Sequence, residues 1–426
     1  MSKPNYVLVL DTNRKPLNPC TPGVARGLLH VGKAKVFRRF PFTIILNKVV
    51  DTSPEPMQLK IDPGSKVTGI ALLQGNEVVW GGEITHRGQQ IKDALLSRRA
   101  LRRGRRNRKN RYRKARFLKR TRPSGWLAPS LQHRVETTLT WVNKLMRYAP
   151  ITGISQELVR FDLQKQDNPE ISGIEYQQGA LFGYEVREYL LAKWERKCAY
   201  CGVENVPLQV EHIHPRAKGG TDRVSNLCMS CESCNLKKGT QDIEVFLKNK
   251  SDVLRKILAQ AKRPLKDAAA VNSTRWALFN LLKKTGLSVE TGSGGKTKYN
   301  RCRLELPKHH YIDAACVGNV DNLQILTTQP LLIKATGHGT RQMCRTNKFG
   351  FPSRHVPRNK FVRGFQTGDI VKAAVTQGKK IGLYVGRVAV RSTGSFNISD
   401  KAGLVQGISH QYCQVVHRKD GYNYAC

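Results

Sequence analysis

No stretch of this chain approaches the roughly eighteen consecutive apolar residues that a membrane span requires. The first apolar segment, within MSKPNYVLVLDTNRKP, is broken at Asp11 and Asn13. It is too short for a secretory leader, so a cytosolic, soluble protein is expected. Acidic residues are also scarce, with 31 Asp and Glu against 73 Lys and Arg and a formal charge of +42. A globular protein so short of carboxylates repels itself unless a polyanion neutralises it, which makes nucleic acid the leading partner. On charge alone, a ribosomal-type or membrane-surface protein remains open. A disulfide framework is missing as well: of eleven cysteines, five fall between Cys198 and Cys234. In a chain without a leader, that clustering points to metal. No internal repeat stands out.

What is present divides into segments, and 426 residues suffice for two to four domains. Residues 4–47 read as strand, turn, short helix and strand. From Met57 two alternating strands flank an Asp-Pro-Gly-Ser turn, and a third strand follows a Gly-Asn pair. The stretch 98–122 carries fifteen Lys or Arg and no acid, with only Leu101, Tyr112, Phe117 and Leu118 as apolar points. Such a helix can hardly bury a face, and a polyanion must surround it. Residues 150–163 suit a buried strand, and 181–196 a helix. Helical patterning resumes after Thr240, followed by a hairpin-like LSVET and NRCRLEL and a helix from His309. From Leu323 the chain is Gly-punctuated and strand-rich, read as a small β-barrel or two small β-modules.

Cys198, Cys201, Cys231 and Cys234 form two C-x-x-C pairs about thirty residues apart, a spacing that suits one tetrahedral zinc. Cys228 lies too early for the second pair and is expected in the core. Between the pairs runs VEHIHPRAKGGTDRVSNL, and NLKKG follows them. This resembles the HNH endonuclease family, whose zinc-bearing members set a ββα unit inside such pairs. Phosphodiester hydrolysis needs an activated water and a hard cation on oxygen ligands. The resemblance implies His212 as general base, Glu211 and Asn235 as ligands of one magnesium, and Asn226 orienting the base loop. The family often has Asp where this chain has Glu211. His214 matches no required position and is read as structural. A structural zinc knuckle binding RNA is the bland alternative.

Asp62 ends the strand LKID before a Gly turn, Glu157 lies on ISQELVRFD, and His309, His310 and Asp313 lie in HHYIDAACVG. Each alone is weak, since Asp before Gly is commonly turn chemistry. Their order around the basic run and the cysteine cluster resembles the three segments of a RuvC-type nuclease. It implies Asp62, Glu157 and Asp313 as ligands of two magnesium ions, with His310 activating water. Asp162 is held as an alternative to Glu157, and His309 is the weaker histidine.

The whole order resembles IscB, the insertion-sequence-encoded family kin to the CRISPR type II effectors. KPLNPCTP resembles its Pro-Leu-Met-Pro segment, with Asn18 in place of the usual Met. The resemblance implies an α/β multidomain fold. Its parts are a Pro-Leu-Met-Pro-like domain (1–54), an RNase H-like (RuvC) core split in three (55–92, 125–180, 244–322), an Arg-rich bridge helix (93–124) and an inserted zinc-bearing ββα HNH domain (181–243). A C-terminal β-barrel-like module (323–426) would hold guide RNA and read a target-adjacent motif. Arg98, Arg99, Arg102, Arg103, Arg105, Arg106, Arg108, Arg111 and Arg113 are the implied nucleic-acid contacts. The function implied is RNA-guided cleavage of double-stranded DNA. In it a monomeric protein is assembled with a noncoding guide RNA (ωRNA), HNH cuts the guide-paired strand and RuvC cuts the displaced strand. Two rivals stay open: a protein-only HNH/RuvC nuclease of branched or specific DNA, and a non-catalytic RNA-binding protein.

Overall fold

The computed structural model describes residues 3–106, 123, 125–158, 190–191, 193–221, 224–262, 268–338, 344–349, 351–356, 359–400 and 402–425. The first unit contains β1 (Val7–Leu10), β2 (Pro16–Cys20), α1 (Pro22–His30), β3 (Ala34–Arg38) and β4 (Thr43–Leu46). Its sheet runs β2-β1-β4-β3. The segment read as turn chemistry supplies β2, because Lys15 turns the chain on Asp11 and Pro16 pairs with Leu10. Thr21 caps α1, its hydroxyl accepting from the Val24 amide.

The central sheet starts with β5 (Met57–Asp62), β6 (Val67–Gln74) and β7 (Glu77–Thr85), the three strands expected from their alternation. Then come α2 (Gly88–Arg106), α3 (Pro129–Met146) and β8 (Ile151–Glu157). β8 lies parallel to β5, and β6 is antiparallel to both β5 and β7. β6 is buried on both faces, and its alternation divides the core. Ile70 and Leu72 join Trp141, Val142 and Leu145 of α3, while Ala71 and Leu73 pack under Ala314 and Ala315 on the other face.

The cysteine-bearing unit holds β9 (Leu208–His212), β10 (Leu227–Cys231), α4 (Glu232–Lys238), α5 (Ile243–Phe246) and α6 (Ser251–Lys262) around its own core of Leu208, Val224, Met229 and Ile257. The chain returns to the central sheet with α7 (Ala268–Lys283), β11 (Ser288–Gly292), α8 (Gly294–Arg303) and α9 (His310–Ala315). The hairpin expected over LSVET and NRCRLEL does not form. β11 instead pairs in parallel with β8, and Ser293 caps α8 by accepting from the Lys296 amide, so Asn300–Arg303 of the second half are helical. The edge of β8 takes the strand along all five of its residues.

The remaining strands are β12 (Gln324–Ile325), β13 (Leu331–Ala335), β14 (Cys344–Thr346), β15 (Pro352–His355), β16 (Phe361–Val362), β17 (Phe365–Gln366), β18 (Ile370–Val375), β19 (Gly382–Ala389), β20 (Ser395–Ser399), β21 (Leu404–Ser409), β22 (Cys413–His417) and β23 (Tyr422–Ala425). Five of them make an antiparallel sheet in the order β21-β20-β19-β18-β22, over a core of Val371, Phe396 and Ile398. Among the described residues no pairing closes it into a barrel. The central sheet has the order β11-β8-β5-β6-β7-β13-β23, with β12 also on β7. Its last two strands come from the stretch read as a separate C-terminal module. The chain is thus mixed α/β with several cores, as the sequence implied.

Candidate active site

Sheet register brings the first carboxylates together. Asp62 ends β5, Glu157 ends the parallel neighbour β8, and both strands finish on the same side. Opposite Asp62 stands Gly69, and a Cβ there would lie 1.8 Å from the carbonyl oxygen of His310. Only glycine lets α9 start so close to the sheet, and that start sets Asp313 on the helix above the strand ends. Glu83 steadies it by accepting from the His310 amide at 2.9 Å. His310 is exposed, one turn before Asp313, and His309 sits outside the helix as its N-cap.

The three carboxylates are close enough to perturb one another. Burial raises Asp62 well above the usual carboxylate range; Glu157 and Asp313 add to the rise, while Arg275 and Arg196 oppose it. Asp313 is raised by burial and by Glu157, with Arg301 and His310 opposing. Such a cluster of half-buried like charges is the donor chemistry of hard divalent cations. Arg275 and Arg301 stand directly on it. Nη2 of Arg275 donates to Glu157 Oε1 at 2.8 Å and lies 3.9 Å from Asp62 Oδ1. Nε of Arg301 is 2.8 Å from Asp313 Oδ1. Neither arginine was singled out from the sequence. Arg275 could have been noticed as a cation in mid-helix, between Thr274 and Trp276, with the next cation of its helix reached only at Lys283, by way of the apolar WALF and LL.

The cysteine cluster is fully assembled. The Sγ atoms of Cys198, Cys201, Cys231 and Cys234 all lie within 4.8 Å of one another, and Cys201 to Cys231 is 3.7 Å. A tetrahedron of Zn–S bonds of about 2.3 Å has S–S edges of about 3.8 Å, so the four thiols fit zinc. Cys231 is the N-cap of α4 and Cys234 lies in its first turn, which is how one C-x-x-C clamps an ion. The Ser233 hydroxyl lowers the Cys231 thiol to about 6. Cys228 stays out of the cluster, buried against the Tyr200 hydroxyl.

The expected HNH residues lie on the β9–β10 hairpin and α4. Asn226 staples the loop between the strands: its side chain donates to the carbonyls of His214 and Thr221 at 3.0 and 2.8 Å and accepts from the His214 amide at 2.8 Å. His214 itself is held in that loop by Asp242 and the Lys218 carbonyl, in keeping with a structural part. His212 is half-buried at the last position of β9. Gln209 and Glu211, on one face of β9, meet Asn235 and Lys238, one turn apart on α4. Lys238 was missed in the sequence, although the basic pair after Asn235 was its signal.

In the Arg-rich run, α2 carries Arg98, Arg99, Arg102 and Arg103 exposed, and Arg106 half-buried. Arg108, Arg111 and Arg113, the side chain of Arg105 and the alternative Asp162 lie outside the described residues. No helix among the described residues is long and apolar enough to cross a membrane.

Residues 7–179 match the RRXRR protein family, and residues 198–241 match the HNH endonuclease family. The second match falls on the cysteine cluster and the hairpin, making that unit an HNH endonuclease domain. No curated protein matches the chain. Among solved structures, Streptococcus thermophilus Cas9 in complex with the AGAA PAM is 12% identical, covering 62% of this chain and 32% of that one, with a TM-score of 0.23. The type II-C Cas9 enzyme from Actinomyces naeslundii is 16% identical, covering 45% and 32%, with a TM-score of 0.16. The chain thus spans about a third of the length of these Cas9 chains.

Proposed function

We propose that this chain, whose resemblance to IscB-like RuvC/HNH nucleases the two family matches bear out, is a DNA endonuclease guided by a bound RNA, with two separate metal-dependent sites. The carrying observation is that Asp62, Glu157 and Asp313, scattered along the chain, share one end of the central sheet, apart from the HNH domain inserted between the last two. This arrangement supports an RNase H-like, RuvC-type core beside the HNH unit.

Asp62, Glu157 and Asp313 would hold two magnesium ions, and Glu211 with Asn235 would hold one. When bound, these ions supply charge neutralisation at the leaving oxygen. The chain's own part is positional and protolytic. His212 takes the proton of the attacking water in the HNH unit, in a loop fixed by Asn226. His310, exposed beside Asp313, does the same at the carboxylate site. The four cysteines would hold a structural zinc, tying the Cys198–Cys201 turn to the start of α4. RNA guidance rests on the resemblance and on the charge of +42, which suits gripping backbone more than reading sequence.

Cleavage of a strand-labelled duplex by protein purified with its RNA tests this reading. His212→Ala should leave a nickase of the displaced strand, Asp62→Ala a nickase of the guide-paired strand, and the double variant should bind without cutting. Double-strand breaks by His212→Ala, or undiminished cutting after the copurified RNA is digested away, would refute it.

A further inference from the structure

The carboxylate site already contains a cation of the chain's own. Arg275, 9% exposed, sends Nη2 to Glu157 Oε1 at 2.8 Å while remaining 3.9 Å from Asp62 Oδ1. The side chain does not reach there by accident of a floppy surface. Its Nε donates to the Pro63 carbonyl at 3.0 Å, in the turn just after Asp62, and its own carbonyl accepts from Gln156 Nε2 at 2.9 Å, beside Glu157. The two carboxylate-bearing strands are therefore each tied to Arg275 twice, once through a carboxylate and once through backbone or a neighbouring amide. A guanidinium held so firmly between two acids does two things. It offsets the repulsion of half-buried like charges, and it takes up a lone pair that a metal ion would need.

We propose that Arg275 is the resident counter-ion of this site: it keeps Asp62 and Glu157 in place before metal arrives and competes with divalent metal for Glu157. The inference rests on reading the three carboxylates as a metal centre. On that basis the site is switched from an arginine-neutralised state to a metal-neutralised one, and Arg275 must withdraw from Glu157 or share it at a cost in affinity. Arg301, whose Nε lies 2.8 Å from Asp313, does not bridge two ligands and is not assigned this part.

Manganese binding to the full chain, followed by electron paramagnetic resonance, tests the proposal. Asp62→Asn defines which ions belong to this site, because ions bound elsewhere cancel in the comparison. Arg275→Gln should bind the ions of this site at least tenfold more tightly than the unaltered chain, with lower thermal stability in the absence of metal. Arg275→Lys, which keeps the charge but not the two-pronged reach, should fall between them. If Arg275→Gln is too unstable without metal, manganese should restore its melting temperature by more than it raises that of the unaltered chain. Unchanged or weaker manganese binding by a folded Arg275→Gln overturns the counter-ion role and leaves the metal centre standing. Full manganese binding by Asp62→Asn overturns the metal centre, and the counter-ion role falls with it.

Discussion

The amine of Lys238, wholly buried, lies 2.7 Å from Glu211 Oε1 and 2.8 Å from the carbonyl of His212. One lysine thus holds both members of the Glu-His pair, the carboxylate by charge and the histidine by its backbone. Burying an ammonium is costly unless it is paired and hydrogen-bonded, and here both conditions are met.

Lys238→Met should therefore leave Glu211 without its counter-charge and free the end of β9. The expected loss is about 3 kcal/mol of stability in the HNH unit, the usual scale for breaking a buried pair. Cleavage of the guide-paired strand should fall far more than cleavage of the displaced strand. Equal loss on both strands, seen on a strand-labelled gel, would mean that Lys238 serves the fold of the whole chain.

Zinc removal should unfold the HNH unit while sparing the central sheet, because the two have separate cores. Cys201→Ser, at the exposed corner of the cluster, should drop zinc from one per chain to none by elemental analysis. It should also abolish cutting of the guide-paired strand. Zinc content unaffected by this change would remove Cys201 from the ligand set.

Exchanging Arg98, Arg99, Arg102 and Arg103 for Gln should weaken RNA binding and flatten its dependence on salt. With fewer phosphates neutralised, fewer counter-ions leave the RNA on binding. All four arginines are exposed on α2 and support no core, so the melting temperature should change little. Filter binding across a salt series measures both slope and affinity. An unchanged slope would make this face a solvated one.

The C-terminal strand carries an acid-sensitive clasp. Asp420 pairs with Lys144 Nζ at 3.1 Å and accepts from the Tyr424 hydroxyl. Burial alone would raise its carboxyl, but His417, Lys144 and Tyr424 outweigh that and hold it below the usual range. A carboxylate depressed in the folded state stabilises above its unfolded value, near 3.9, and that stability is lost as pH falls through the folded value. Asp420→Asn should cost about 2 kcal/mol at neutral pH, the scale of a hydrogen-bonded charge pair. The gap between variant and unaltered chain should narrow below about pH 4, as read by denaturant titration. A gap constant across that range would show that the cost does not come from the Asp420 charge.

The sequence by itself determined whatever depends on neighbours along the chain. The two C-x-x-C pairs, the Glu-His dipeptide, the alternating strands from Met57 and the run of arginines are local patterns, and their spacing already states their chemistry. Only the tertiary structure decided which cations answer the buried acids. Arg275 reaches Glu157 across 118 positions and Lys238 reaches Glu211 across 27, and no periodicity encodes a pairing between separate elements. It also made Asn300–Arg303 helix instead of strand and drew Leu331–Ala335 and Tyr422–Ala425 into the central sheet. In each case the outcome was set by an open strand edge or a buried charge waiting for a partner, and a burial cost of that kind exists only once the chain has folded around it.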